Sequence, residues 1–343
     1  MAHPGKCNFI TMKRIIIPVI AAIFLASCGG GENNNNNNNN PDTNRVEQVN
    51  IPDFNADSAY SYIAAQLEFG PRVPGTPAHT ACADYLAGEL ERHGLEVTIQ
   101  EITVRQYDGK IINGKNIIGS LNPDNPKRVM LSAHWDSRQF ADWDPDEANH
   151  RTPIPGANDG ASGVGILLEI ARLITKDHPS IGIDIVFWDV EDQGEPHDAQ
   201  NTGKEDTWGL GSQYWSKNMH KPGYNARYGI LLDMVGAKDA VFRMEGFSQQ
   251  FAPSVVRKVW NHAKDLGYGN RFLFEESNPI MDDHYYINKY ANIPTIDIIH
   301  QDQSTGTGFY PYWHTLEDDL DKMDKETLKM VGEVVLKTIY SEK

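Results

Sequence analysis

The chain has 343 residues, 40% hydrophobic and 23% charged, with a formal net charge of −16. That balance argues against nucleic acid and anionic membrane surfaces as partners, because both demand basic patches. The composition is that of a soluble globular protein, and the length suits one α/β enzyme once a short leader is set aside.

Lys13 and Arg14 precede an apolar run from Ile15 to Ala26. It is too short to cross a bilayer as a helix but suits the core of a signal peptide. The run ends Leu25-Ala26-Ser27-Cys28, which resembles a bacterial lipobox. The resemblance implies cleavage before Cys28, with Met12 as the start, and lipid anchoring through Cys28 on the periplasmic side of a bacterial membrane. An ordinary secretory signal cleaved near Ser27 is the alternative, and both imply export. Residues 1–28 thus read as a leader. Residues 29–50, with eight consecutive asparagines, bury too little to order themselves and read as a flexible tether. Residues 51–343 form the catalytic domain. It contains Cys82 as its sole cysteine, so no disulfide within it is possible.

Helical periodicity marks Ala56 to Phe69 and Ala78 to His93, the second closed by Gly94. Val97 to Val104 alternates as a strand would. Arg128 to Ala133, Ile183 to Trp188, Gly229 to Leu232 and Ile296 to Ile299 are short apolar runs suited to strands covered on both faces. Helices are expected between and after them at Ala161–Thr175, Gly209–Met219, Ser248–Leu266, Asp283–Tyr290 and Lys325–Tyr340. The pattern predicts a single α/β domain with a twisted, largely parallel sheet flanked by helices. The long polar stretch from Asp192 to Thr207 lacks periodicity, as functional loops do.

Ligands in such sheets gather at the carboxyl ends of the strands. Those ends carry His134 and Asp136, then Asp189, Glu191 and Asp192, then Asp233, then His300. Asp159 opens a helix after a tight turn, and His314 sits in an aromatic loop. Each has a plain structural reading: Asp159 as a helix cap, Glu191-Asp192 as solvated surface, the histidines as core residues. Together they supply the imidazoles and carboxylates that zinc requires.

Ser132-Ala133-His134-Trp135-Asp136, Pro155 to Gly163, Asp189 to Asp192, Gly209 to Ser212 and Trp313-His314-Thr315 occur in the order found in M28-type zinc metallopeptidases. The resemblance implies a zinc-aminopeptidase-like fold. For the aminopeptidases it implies two metals, one on His134, Asp159 and Asp233, the other on Asp159, Asp192 and His314. The glutaminyl cyclase branch keeps the scaffold with one zinc, and Trp313, Phe309, His300 and Asp282-Asp283-His284 are similar to that branch.

On that resemblance, Asp159, Asp192 and His314 would hold one Zn²⁺ and Glu191 would move protons. Asp233 and Asp283 would orient the amide, His300 would match a further cyclase histidine, and Trp313, Phe309 and Trp208 would wall the pocket. The reaction implied is closure of N-terminal glutamine of peptides or proteins to pyroglutamate with loss of ammonia. Di-zinc aminopeptidase activity is the alternative, and a binding protein on an inactive scaffold is a third.

Overall fold

The computed structural model describes residues 50–199 and 206–343. The leader, the lipobox with Cys28, and the tether up to residue 49 lie outside the described residues, as do residues 200–205. Among the described residues no helix is long and apolar enough to cross a membrane.

In chain order, α1 (Ala56–Glu68) and α2 (Pro77–Arg92) precede β1 (Glu96–Arg105), β2 (Ile111–Leu121) and β3 (Arg128–His134). Then come α3 (Ala161–Ile174), β4 (Gly182–Trp188), α4 (Leu210–Lys217), β5 (Gly229–Asp233) and β6 (Phe242–Met244). The remainder is α5 (Gly246–Phe251), α6 (Pro253–Asp265), β7 (Phe272–Glu276), α7 (Asp283–Tyr286), β8 (Thr295–Ile299) and α8 (Lys325–Tyr340).

Six strands form one mixed sheet in the order β1-β2-β4-β3-β5-β8, while β6 and β7 pair separately. The pairings β4-β3, β3-β5 and β5-β8 are parallel, and β1-β2 and β2-β4 are antiparallel. The expected largely parallel sheet is therefore present at the centre, extended by an antiparallel ribbon on one edge. Strands β2, β6 and β7 have no counterpart among the expected elements. The expected helix over Ser248–Leu266 is broken into α5 and α6 at Ala252, because Pro253 disfavours a helical backbone in the residue before it.

Every residue of β3, β4, β5 and β8 is buried, which explains their nearly unbroken apolar runs. Within them the side chains still alternate between two cores. Val129, Leu131, Ala133, Ile183, Ile185 and Phe187 face the core shared with α1, α2, α3, α6 and α8. Met130, Val186, Trp188 and Leu231 face the other, built with Trp215 of α4 and Ile287. Helix α3 buries all its residues but Arg172, so it is covered on every side, with Glu169 paired to that arginine. It approaches β5 so closely that a Cβ at Gly163 would lie 2.3 Å from the Leu232 carbonyl oxygen.

A buried ion pair stands within this interior. Asp184, between Ile183 and Ile185, accepts from Arg128 Nε at 2.5 Å and Nη2 at 2.7 Å, from Ser120 Oγ at 2.6 Å and from Tyr224 Oη at 2.7 Å. Arg128 Nη1 also ties down the carbonyls of Pro123 and Asn125, each at 3.0 Å. Deleting one partner of a buried pair strands the other charge. Asp184→Ala should therefore lower unfolding free energy by about 3–5 kcal/mol. Urea denaturation reads this directly; a change below about 1 kcal/mol would place the pair among surface-like ion pairs.

Candidate functional site

The parallel strands end on one edge of the sheet, and β3, β4 and β5 deliver polar groups there. His134 closes β3, and its Nε2 lies 3.0 Å from Asp159 Oδ1 and 3.3 Å from Asp233 Oδ1. Asp159 stands on the turn before α3. The Asp318 carboxylate fixes that turn, accepting the backbone N–H of Asn158 at 2.9 Å and of Asp159 at 3.1 Å. Gly160 then turns the chain into α3 at φ +98°, where an added Cβ would meet the Asp136 carbonyl oxygen at 2.8 Å.

After β4, Asp136 plays the matching part. Its carboxylate accepts the backbone N–H of Glu191 at 3.1 Å, that of Asp192 at 3.2 Å, and Gln193 Nε2 at 3.1 Å. Asp189 is held behind by His79 Nε2 at 2.9 Å. Val190, Met234 and His314 all sit at left-handed φ, at 56°, 48° and 55°. Each adjoins or is a site residue, and each such non-glycine conformation costs about 1–3 kcal/mol. The surrounding hydrogen bonds force the backbone where the side chains are needed.

Two ligand-like groups result, Asp159/Asp192/His314 and His134/Asp159/Asp233, each with its donor atoms within 4.8 Å of one another. His314 Nε2 lies 3.1 Å from Asp192 Oδ1 and 3.5 Å from Asp159 Oδ2. Asp159 Oδ2 and Asp192 Oδ2 are buried with no hydrogen-bond partner. Burial pushes Asp159 upward, with Asp192 adding to it, and pushes Asp192 up to about 8 against the pull of Arg138. Burial and Arg138 push His314 down to about 4, leaving a neutral imidazole at neutral pH. Orphaned carboxylate oxygens beside a neutral imidazole are what a divalent cation relieves, so the residues fit a metal.

His134 differs. Burial would lower it, but Asp136, Asp159 and Asp233 hold it well above its ordinary value. It can therefore carry positive charge of its own between Asp159 and Asp233.

A cavity of about 250 Å³ opens over these groups. Glu191, Asp159, Asp192, Asp233 and His314 line its polar side, and Trp208, Phe309 and Trp313 wall it. The Trp313 ring stacks on His314 at 3.6 Å between centroids, and Trp208 runs nearly parallel to it at 6.0 Å. Loss of water raises Glu191 well above the carboxylate range; His134 opposes this, while Asp282 and Asp192 add to it.

Two expected residues fall elsewhere. Asp282, not Asp283, lines the cavity with Ile280 and Met281. Asp282 is the N-cap of α7, so Asp283 begins the helix and turns aside, buried near Gly209 and Ser212. His300 is likewise outside the lining, where Ile299 stands instead. It lies one residue beyond β8 in an antiparallel bridge to Phe242, with burial holding it down to about 4.

Other groups were missed. Asp142 takes Arg138 in two bonds of 2.7 Å, accepts the His197 N–H at 2.7 Å, and faces His314 Nδ1 at 3.4 Å. Burial opposes its charge, but Arg138 and His314 hold it far below the usual carboxylate range. Arg138 also donates to the Asp192 carbonyl at 3.1 Å and lies 4.7 Å from the Trp208 ring.

The profile of the family described as Peptidase family M28 matches residues 116–339. A solved glutaminyl cyclase from Bacteroides thetaiotaomicron, bound to N-acetylhistamine, is 56% identical with a TM-score of 0.84, over 86% of this chain and 100% of that one. A Zn-dependent exopeptidase from Parabacteroides distasonis is 54% identical with a TM-score of 0.84, over 85% of this chain and 100% of that one. Glutaminyl-peptide cyclotransferase of Bos taurus is 23% identical over 300 residues, 77% of this chain and 76% of that protein.

Asp142 stands to His314 as outer carboxylates stand to metal-bound imidazoles. Asp142→Asn should weaken metal affinity about 10- to 100-fold without unfolding the chain. Titration against a competing chelator measures it, and wild-type affinity in the variant would remove Asp142 from that role.

Proposed function

The chain belongs to peptidase family M28, and we propose that it cyclises N-terminal glutamine of peptides and proteins to pyroglutamate, releasing ammonia. What carries this reading is the small cavity in which Glu191, Asp233 and Asp282 face the metal group between aromatic walls. At about 250 Å³ it is smaller than ordinary drug-sized sites, and suits a single residue's side chain and amine. The similarity to the Bacteroides thetaiotaomicron glutaminyl cyclase supports it.

Asp159, Asp192 and His314 would hold one zinc ion, whose Lewis acidity polarises the side-chain carbonyl of the substrate. The α-nitrogen attacks that carbonyl carbon, the new C–N bond closes the ring, and the bond to the amide nitrogen breaks. Glu191 accepts the proton leaving the α-nitrogen and returns it to the departing ammonia; its raised affinity for protons suits both steps. Asp233 and Asp282 accept hydrogen bonds from the substrate's nitrogens, and Trp208, Phe309 and Trp313 exclude water that would hydrolyse the amide. His134, held positive between Asp159 and Asp233, supplies charge where a second metal would otherwise sit. The same trio of residues is the observation favouring the other reading, a di-zinc aminopeptidase.

A glutamine-initiated dipeptide should yield ammonia without new amine termini; release of nitroaniline from leucine p-nitroanilide, with two metals per chain, would favour the aminopeptidase. Glu191→Gln should keep its metal and lose about 10²–10⁴-fold in turnover. His134→Ala should keep zinc at one per chain, which elemental analysis shows.

We also propose export and lipid attachment at Cys28, on the strength of Leu25-Ala26-Ser27-Cys28. Radiolabelled palmitate should enter the expressed protein and not its Cys28→Ala variant; equal labelling of both would end that proposal.

A further inference from the structure

A file of buried groups leads away from the cavity behind Asp282. Asp297 of β8 lies next to it, then His284 of α7, then Glu245, the N-cap of α5. His284 Nδ1 is 3.8 Å from Asp297 Oδ2, and its Nε2 is 2.9 Å from Glu245 Oε2. None of the four is more than 4% exposed.

The far end of this file is rigid. Besides His284, Glu245 accepts the N–H of Phe247 at 2.9 Å, of Ser248 at 2.6 Å and of Ile280 at 2.8 Å, and the Ser248 hydroxyl at 2.7 Å. That hydroxyl in turn accepts the Asp297 N–H at 2.9 Å. With its oxygens saturated and drawn down to about 2 by His284 and these N–H groups against burial, Glu245 stays ionised. It therefore requires His284 Nε2 to be the protonated nitrogen, which leaves Nδ1 as the atom turned to Asp297.

The near end is unsatisfied. Both Asp297 oxygens, Asp282 Oδ2 and His284 Nδ1 have no hydrogen-bond partner within normal range. Asp282, His284 and Asp297 offer atoms within 4.8 Å of one another, so a cation is one way to satisfy them. A shared proton is the simpler way, because adjacent dry carboxylates cannot both remain charged. Burial and Asp282 raise Asp297 well above its ordinary value, in keeping with that sharing.

We propose that Glu245 and His284 are a positioning dyad, which fixes Asp297 and through it holds the Asp282 carboxyl at the cavity wall against the substrate's nitrogens. This rests on the cyclisation reading. Neither residue touches substrate; both act through Asp282.

The test uses the full chain loaded with zinc. His284→Gln keeps an amide donor near Glu245 but removes the atom facing Asp297, and His284→Asn places an amide near the Nδ1 position instead. His284→Gln and Glu245→Gln should lose about 10- to 100-fold in kcat per folded molecule with KM and zinc content little changed. Glu245→Gln should also lower Tm, because its amide group turns a donor toward the N–H groups that the carboxylate accepts. His284→Asn should recover part of that loss. In an Asp282→Asn background, His284→Gln should add nothing further, since the dyad has no other route to the reaction.

Losses that multiply in the double variant would overturn the proposal, as would unchanged kcat per folded molecule. A metal count that falls in His284→Gln would overturn it in favour of a cation ligand. If the wild-type protein leaves glutaminyl peptides intact, the cyclisation reading fails separately. The same double-variant comparison, run on whatever N-terminal reaction it does catalyse, then decides the dyad.

Discussion

Asp159, Asp192, Asp233 and Asp282 are each less than a tenth exposed at one end of a sheet, with Glu191 beside them in the cavity wall. That much like charge in a dry place is sustainable only if positive charge or shared protons lie among them. Everything else at the site follows from how that requirement is met. The metal group occupies one flank, His134 the next, and the proton-sharing pair Asp282–Asp297 the third. Burial first, and the neighbouring acids after it, keep Glu191 avid for a proton, which is what the reaction asks of it.

Holding such a cluster demands a backbone that does not yield. Asp136 and Asp318 do equivalent work on adjacent loops, each with one carboxylate gripping two successive backbone N–H groups and so aiming the acids that follow. Neither carboxylate lines the cavity. Arg138 and Asp142 extend the grip to the 193–199 segment, so His314, Asp192 and the Trp208 wall share one support.

Much of this could be read in the chain. The central strands announced themselves because both faces are covered, and the polar residues that end them pointed to one edge. Strand β2 did not, because Asn113, Gly114, Lys115 and Asn116 break its apolar pattern, and Asn116 is spent on hydrogen bonds to Gln100 and Gly211. Among site residues, Asp282 and Asp283 are chemically identical neighbours, and only the start of α7 separates their directions. Asp297 sat concealed in an apolar run, since a strand buried on both faces gives no sign of which residue meets another acid. His300 had a suitable spacing, but the bridge to Phe242 carries it past the cavity. Asp142 and Arg138 lie in a polar stretch that only tertiary structure connects to His314.

The left-handed backbone at Val190, Met234 and His314 sets this protein's stability against its chemistry. Glycine would relax each of these positions at little steric cost, yet at His314 it would remove an imidazole from the metal-fitting group, and at the other two it would free the chain that aims Glu191 and Asp233. Selection for heat resistance alone would thus erode the centre first. The strained trio is a record of what the fold has been kept for.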